Sequence, residues 1–439
     1  MSGSLPMLAA DISKERWYEG RSAVTIVAIG VVVGSVVAYG GWIYAVGLAG
    51  IALLLRWPVE VALGSFAFLL PFDSISSLDP GATGTALTRY VGGLSALVLL
   101  MVGLATKRLS NPPRAALWWS LFVLWGVATL GWAANPEFAW ERLPTALSFL
   151  FLYLIATAFR ITKKEMSAVV ILAVLGGCAA AILASWQFYG GTVFQETSRS
   201  SLMFGDRETD PNQFAASLLM PLSLALGFLM LSRSWIVRGG AITAIGTLSL
   251  ALLLSMSRGA FVAALAVVFV YMYRLGLSRR ILVAVACLAV LLFFMPHTFF
   301  ARLALPDRGA GRFDIWLASL GILPRYGFFG AGWSNFVVAY TDIAGNAPKF
   351  QGYTRGSHSV YLGMLIEVGI IGLTFLLLAF RSQLREARNR FLVPYQAACW
   401  GMVVMGLTLD IVWRKSFWFC WILLAMAVRV RSYDEETPL

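Results

Sequence analysis

Long apolar runs, separated by short polar or basic stretches, recur along nearly the whole chain. A helix needs about 17 to 25 residues to cross a hydrocarbon core of about 30 Å, and most of the runs approach that length. They lie near residues 22–37, 40–55, 58–71, 86–106, 115–132, 144–160, 166–188, 212–231, 236–254, 259–275, 280–296, 358–380, 392–409 and 415–430. Lipid tolerates only helices and closed barrels, because backbone polar groups must be hydrogen-bonded internally. The pattern predicts an all-α polytopic integral membrane protein with about 12 transmembrane helices, drawn from about 12 to 14 apolar segments.

One extended polar stretch, residues 297–357, divides the chain into three regions. Residues 1–296 are predicted to form transmembrane helices with short loops, residues 297–357 a large loop, and residues 358–439 further transmembrane helices and a tail. Within the loop, apolar residues recur at helical spacing, namely Phe313, Trp316, Leu317 and Leu320. This spacing predicts an amphipathic helix that lies on the membrane surface.

The short loops differ in charge, and the difference predicts the orientation. Lys and Arg concentrate in cytoplasmic loops of membrane proteins. Basic residues cluster at 14–21, 107–114, 160–164, 233–238, 274–280, 381–390 and 429–431, which alternate strictly along the chain. Both termini are therefore expected in the cytoplasm, and the loops 72–85, 133–143, 189–211 and 297–357 on the opposite side.

Composition excludes several classes of protein. Hydrophobic residues make up 59% of the chain and charged residues 13%, with a mean hydropathy of +0.77, whereas roughly a quarter of the residues in a soluble domain are charged. The topological bias accounts for most of the net charge of +12, so a nucleic-acid partner is not favoured. The four cysteines lie in apolar segments without paired spacing, which favours core packing. Without a phosphate-binding loop, a dinucleotide motif or a Cys/His cluster, we expect no metal and no cofactor.

Candidate chemistry begins at His358, where the polar loop meets an apolar segment predicted as one helix from Val360 to Phe380. An imidazole pKa of about 6.5 suits proton transfer at neutral pH, but a structural histidine is equally compatible with this position. Asp410 is expected at the same level, where it either orients the imidazole or pairs with Arg414. In a continuous helix, Glu367 would lie about 13 Å deeper than His358, too far for the same chemistry.

Several polar residues of the predicted outer loops are candidates for an anion site. Arginine binds phosphate in a bidentate manner, and the loops contain Arg207, Arg312, Arg325 and Arg355. Arg258, in a tight turn, either snorkels to the headgroups or faces a cavity. Asp210 and Asn212 precede or begin a helix, so helix capping explains them as well as ligand binding does.

Three motifs resemble a known family. His358-Ser359, nine residues, then Gly369-Ile370-Ile371-Gly372 match the H-[NSQ]-x9-G-x-x-G pattern of bacterial O-antigen ligases. Asp210-Pro211-Asn212, Ser257-Arg258-Gly259 and the region from Arg312 to Gly332 resemble the wider superfamily, which also contains O-antigen polymerases and protein O-oligosaccharyltransferases. The resemblance covers about the second half of the chain.

The resemblance implies a fold of about twelve transmembrane helices with a large periplasmic loop, and a reaction that needs neither metal nor ATP. That reaction moves O-antigen polysaccharide from undecaprenyl diphosphate to a sugar hydroxyl of lipid A-core, at the periplasmic face of the bacterial inner membrane. His358 is then the expected general base of an inverting displacement. Arg207 and Arg312 are expected to bind the diphosphate, with further candidates and supporting residues at Arg258, Arg325, Arg355, Asp410, Asp210 and Asn212. Gly369 and Gly372 are expected to let a neighbouring helix pack closely.

Other functions stay open at this point. A polymerase uses the same carrier on the donor and acceptor sides, and a protein-glycosylating relative accepts a serine hydroxyl. A secondary transporter is a different class, in which Glu367 and Asp410 would be coupling groups. Transporters tend to show matching broken helices in two repeat halves, and the sequence shows no such symmetry.

Overall fold

A computed structural model describes residues 50–73, 87–194, 198–204, 207–276, 312–344, 356–386 and 389–436. The chain divides into two units, residues 1–62 and 63–439. Of the first unit, the structure describes helical residues 50–56 and the beginning of the helix Pro58–Leu69. The predicted segments 22–37 and 280–296, most of 40–55, and the loop portions 297–311 and 345–355 lie outside the described residues.

The described residues are mostly helical. The helices are α1 Pro58–Leu69, α2 Leu87–Ala105, α3 Ala115–Ala128, α4 Pro136–Ala158, α5 Lys163–Tyr189, α6 Pro211–Leu231, α7 Trp235–Leu254, α8 Arg258–Leu275, α9 Arg312–Leu320, α10 Leu323–Tyr326, α11 Phe336–Ala344, α12 Val360–Glu367, α13 Gly369–Glu386, α14 Val393–Met405 and α15 Lys415–Glu436. Short 3-10 helices cover Leu70–Phe72, Thr129–Trp132 and Arg390–Leu392. An antiparallel hairpin, β1 Met203–Phe204 and β2 Arg207–Glu208, pairs Met203 with Glu208 and Phe204 with Arg207. The described residues agree with the all-α class predicted from the sequence, and the short hairpin lies in a predicted loop.

Seven helices among the described residues are long and apolar enough to cross a membrane, namely α2, α3 with the 3-10 turn after it, α4, α5, α6, α7 and α8. The chain is therefore a multi-pass, mostly helical membrane protein. The total of about twelve spans stays a prediction.

Helix α6 lies at the centre of the larger unit. It packs against α5, α7, α8 and α14, and most of its residues are buried inside the protein. Its N-terminus is set by Asp210, whose side chain accepts hydrogen bonds from the backbone of Asn212 (2.9 Å) and Gln213 (3.0 Å). Such caps satisfy backbone donors that have no partner within the helix. The capping role of Asp210 expected from the sequence is confirmed.

Basic residues from three stretches, at 107–114, 160–164 and 429–431, meet at one end of the bundle, here called the basic end. Arg108 pairs with Glu165 and donates from Nε to the Arg160 carbonyl at 2.9 Å. Arg429, on α15, donates to Ser110 Oγ at 2.5 Å. Loops distant in sequence therefore share an end, as the alternation of charge predicts. Their cytoplasmic location stays a prediction.

The apolar segment after His358 is not one helix, and this corrects the prediction. It breaks at Val368 into α12 and α13, with a φ of 67° at Gly369. Residues on both sides of the break bind another segment: Ala331 N donates to Ile366 O at 2.7 Å and Ile370 N to Gly327 O at 2.8 Å. The break exists because the backbone at 366–370 hydrogen-bonds to residues 327–332 instead of continuing the helical ladder.

Glu367 ends α12 beside the segment 327–334. This segment also contacts the end of α3, where Trp333 N donates to Thr129 Oγ1 at 3.0 Å. Because α12 is continuous from Val360 to Glu367, the separation of about 13 Å from His358 expected from the helical rise stays a prediction.

Candidate active site

Several loops converge at the end of the bundle opposite the basic end, here called the His358 end. They comprise residues 129–142, 199–204, 207–213, 255–259, 327–336, 357–359 and 406–415. Backbone or side-chain contacts connect these segments to one another.

His358 lies in a strained turn. Its φ of 47° is in the left-handed region, which residues other than glycine rarely adopt. Ser357 Oγ donates to Ser359 O at 2.9 Å, and the Ser359 side chain caps α12 by accepting from Leu362 N at 3.4 Å. Trp316 Nε1, on α9, donates to Ser357 O at 3.2 Å. These contacts hold the half-buried His358 in a defined position, and strained backbone of this kind is typical of functional sites.

The Asp210-Pro211-Asn212 and Ser257-Arg258-Gly259 motifs form one unit. Asn212 Oδ1 accepts from Ser257 Oγ at 2.9 Å and from Arg199 Nη2 at 2.8 Å. Arg199, which is buried, also donates from Nε to Ser255 O at 2.6 Å. Asn212 therefore joins two outer loops instead of capping a helix, and Arg199 is a bridging residue that sequence reasoning missed.

The unit formed by these motifs reaches His358 through residues 405–408. A Cβ placed on Gly259 would lie 2.1 Å from Thr408 Oγ1, so the start of α8 packs directly against this segment. On the other side of the segment, Val360 N donates to Gly406 O at 2.8 Å. Arg258 and His358 thus flank the same short stretch of backbone.

The predicted anion-binding arginines lie on segments of the His358 end, with one exception. Arg207 is half-buried in β2, Arg312 is half-buried at the start of α9, and Arg258 is exposed at the start of α8. Arg325 is exposed, with its guanidinium carbon 5.0 Å from the centre of the Tyr326 ring. Arg355 lies outside the described residues.

A second group of charged residues lies close together at this end, and the sequence did not indicate that its members would meet. Glu367 is 4% exposed and its Oε2 accepts from Ser334 N at 3.0 Å. It interacts electrostatically with Asp410 and Arg142. Asp410 in turn interacts with Arg414 and Arg142. A cluster of two carboxylates and two guanidinium groups therefore lies at the His358 end, in which Glu367 is buried, Asp410 and Arg414 are half-buried and Arg142 is exposed.

The charged cluster continues to a small cavity. Arg414 also interacts with Asp73 and Asp210, and Lys415 Nζ lies 2.5 Å from Asp73 Oδ1. The cavity, of about 20 Å³, is lined by Asp73, Thr209 and Arg414 among other residues. A volume of this size holds about one water molecule. The signal that sequence reasoning overlooked was a basic residue, Arg142, in a predicted outer loop, where the positive-inside rule disfavours it.

The helix containing Phe313, Trp316, Leu317 and Leu320 is α9, and its faces are now defined. Phe313, Leu317 and Leu320 are exposed, whereas Trp316 packs against the core formed around Ile315 and Ile322. Ile315 was not part of the predicted apolar face. The three exposed apolar residues are those that a helix lying on a membrane would present to lipid.

The buried carboxyl of Asp410 makes stability depend on pH. Burial raises its pKa to about 6 from an ordinary value of 3.8, against the opposing effects of Arg414 and Arg142. Its Oδ1 has no hydrogen-bond partner in the described part of the chain. The folded protein then binds this proton more tightly than the unfolded chain does, so stability is lost as pH rises from about 4 towards 6.

We expect Asp410→Asn to stabilise the protein more at pH 8 than at pH 5. Each pKa unit corresponds to about 1.4 kcal/mol, and the effect is read from unfolding midpoints in detergent at the two pH values. Thr408→Ser, a conservative change in the same loop, is the control. Parallel shifts for Asp410→Asn at both pH values would contradict the assignment.

Within the part of the chain that the structure describes, no group of three or more His, Cys, Asp or Glu residues is placed to hold a metal ion.

Comparison with known proteins adds one finding. No curated protein matches this chain. A family model matches residues 241–377, a stretch that contains Ser257-Arg258-Gly259, α9 to α12 and His358. The model is described as O-antigen ligase, and its match to residues 241–377 confirms the chain's resemblance to the O-antigen ligase superfamily.

Proposed function

We propose that the protein is an O-antigen ligase, which transfers O-antigen polysaccharide from undecaprenyl diphosphate to a sugar hydroxyl of lipid A-core. The observation that carries the proposal is the family match at residues 241–377, because it includes the His358 turn and the Ser257-Arg258-Gly259 motif. These two motifs flank the same backbone segment at Gly406 and Thr408. The match also speaks against the secondary transporter considered above.

The proposed reaction is a single inverting displacement. The His358 imidazole accepts the proton of the acceptor hydroxyl as that oxygen attacks the anomeric carbon of the donor. The bond from this carbon to the diphosphate oxygen breaks, and undecaprenyl diphosphate leaves with the bonding electron pair. Guanidinium groups stabilise the negative charge that develops on the leaving group.

Cations around the site divide into two sets under this proposal. Arg207, Arg312 and Arg258 begin or lie in outer segments and are the proposed diphosphate ligands, with Arg325 and Arg355 as secondary candidates. Arg142 and Arg414 are balanced by Glu367 and Asp410. We assign this second set a positioning role, because a guanidinium group between carboxylates of different segments holds those segments together. Asp210 and Asn212 support the site through their hydrogen bonds.

Orientation follows from the same proposal. The basic loops lie at the end opposite His358, and basic loops face the cytoplasm in membrane proteins. The His358 end is then periplasmic, in a bacterial inner membrane with both chain termini in the cytoplasm. The exposed apolar residues of α9 support a membrane-surface position for this loop.

A reconstituted assay tests the proposal. Purified protein in liposomes receives polymerised, carrier-linked glycan as donor and lipid A-core as acceptor, with and without a chelator. We expect core lipid carrying the polymer, at equal rates in both conditions. A product in which carrier-linked chains have lengthened while core lipid stays unmodified would identify a polymerase, and glycan on a serine-containing peptide a protein-glycosylating relative.

A further inference from the structure

A groove lies on the flank of the bundle and runs from Tyr361 at the start of α12, three residues after His358, towards the basic end. It is formed by α13, α14 and the start of α12, and its volume is about 410 Å³, within the range of small-molecule sites. Its lining residues include Leu377, Phe380, Arg381, Arg385, Gln396 and Trp400.

The lining changes from apolar to cationic along the groove. On α13 the lining residues recur at three- and four-residue spacing from Leu377 to Arg385, which places them on one helix face. The span from Leu377 to Arg385 is about 12 Å at 1.5 Å per residue. At the apolar end, the hydroxyl of Tyr361 is satisfied because it donates to Val403 O at 2.7 Å. The groove therefore offers an apolar channel with two arginines at one end.

Gln396 adds a hydrogen-bond acceptor at the cationic end. It is 6% exposed, and its Nε2 donates to Leu384 O at 3.4 Å. Its Oε1 is buried and has no hydrogen-bond partner within the described residues. A buried acceptor without a donor is costly. A ligand with a hydroxyl group beside its anionic group would supply the missing donor.

The cationic end of the groove coincides with the basic end of the bundle. Arg385 precedes Glu386, which interacts electrostatically with Arg429 and Arg114. This is the end opposite His358, so the diphosphate of the proposed donor does not account for the two arginines. A polyprenyl chain alone would use the apolar lining but neither the arginines nor Gln396.

We propose that this groove binds one molecule of an anionic glycerophospholipid with a hydroxylated headgroup, of the phosphatidylglycerol class. Arg381 and Arg385 bind the phosphate, and a headgroup hydroxyl donates to Gln396 Oε1. An acyl chain lies along Phe380, Leu377 and Trp400. Anionic lipids attract basic residues at the cytoplasmic leaflet, which is where the charge pattern predicts this end of the groove.

The test is retention of defined lipids by the purified full-length protein, measured by native mass spectrometry. Wild type is exposed to equal mixtures of phosphatidylglycerol, phosphatidic acid and phosphatidylcholine. We expect phosphatidylglycerol to be retained over both others. The double variant Arg381→Gln/Arg385→Gln should lose its binding by a factor on the order of 10 or more.

Two further variants separate the parts of the proposal. Gln396→Leu should reduce the preference for phosphatidylglycerol over phosphatidic acid while the preference over phosphatidylcholine remains. Val403→Trp fills the apolar end and should reduce binding although both arginines are present. The matched control, Arg233→Gln/Arg238→Gln, removes two exposed arginines, one in the α6–α7 loop and one in the first turn of α7, and should retain lipid as wild type does.

Equal phosphatidylglycerol retention by the groove and control double variants would overturn the proposal. So would preferential retention of a polyprenyl phosphate that survives Arg381→Gln/Arg385→Gln. Unfolding midpoints measured on the same samples exclude loss of fold as the cause of any decrease.

Discussion

His358→Ala should lower transfer of glycan to core lipid by a factor of about 10² to 10⁴, the usual contribution of a general base. In the proposed mechanism, the imidazole removes the proton of the acceptor hydroxyl. Water at neutral pH is a poor base for this proton. The measurement is the rate in the reconstituted assay, together with the amount of capped lipopolysaccharide in cells. The variant should still accumulate in the membrane.

The backbone at His358 provides a sharper control than alanine does. With φ at 47°, alanine adds strain, and a loss of activity then has two explanations. Asparagine adopts the left-handed region more readily than most residues and has no basic nitrogen. We expect His358→Asn to unfold at the wild-type temperature and to be as inactive as His358→Ala. Wild-type transfer by His358→Asn would remove the general base from the mechanism.

Gly369→Ala should destabilise the protein by about 2 kcal/mol or more. At a φ of 67° an added side chain is strained. The new Cβ would lie 2.1 Å from Phe328 O and 2.8 Å from Gly330 N, and these backbone atoms cannot rotate away. The alanine must therefore push apart the α12–α13 break and the segment 327–332, with loss of the hydrogen bonds between them. The unfolding midpoint in detergent measures the effect.

Gly246→Ala is the matched control for this change. Gly246 lies within α7, and nothing lies within 4 Å of a Cβ built there. Alanine is favoured over glycine in a helix interior by up to about 1 kcal/mol, so the control should unfold at or above the wild-type temperature. Similar midpoints for the two variants would show that the backbone contact at Gly369 contributes little.

The two glycines of the His358 motif have different roles. Gly372 lies in α13, and a Cβ there would be 2.8 Å from Trp125 Cδ1 on α3, the close helix packing that was expected. Gly369 instead ends the helical ladder and lets a loop backbone approach. The Gly369 role in helix packing inferred from the sequence was therefore wrong, although the requirement for glycine was correct.

The amino-acid sequence by itself determined the class of protein, most helix positions and the superfamily resemblance. The length of an apolar run and the charge of a loop can be read from a short stretch of sequence. Because lipid leaves the backbone only helices and closed barrels, the long apolar runs of α5 and α6 are enough to predict transmembrane helices. The helix cap by Asp210 is also predictable from a short stretch of sequence, because the backbone donors lie within three residues of the Asp210 side chain. The number of spans and the choice between ligase and polymerase are not determined in this way.

Only the tertiary structure decided how the site is assembled. The apolar run from Val360 to Phe380 carries one charged residue, Glu367, and its break at Val368 arises from hydrogen bonds to a segment almost forty residues earlier. The cluster of Arg142, Glu367, Asp410 and Arg414 draws on three segments distant in sequence, and the Asn212–Ser257 bond on two. Such contacts depend on which loops the folded bundle brings together. The sequence therefore predicted His358 as a candidate, and the tertiary structure placed it in a strained turn at the end of the bundle where Glu367, Asp410, Arg142 and Arg414 interact.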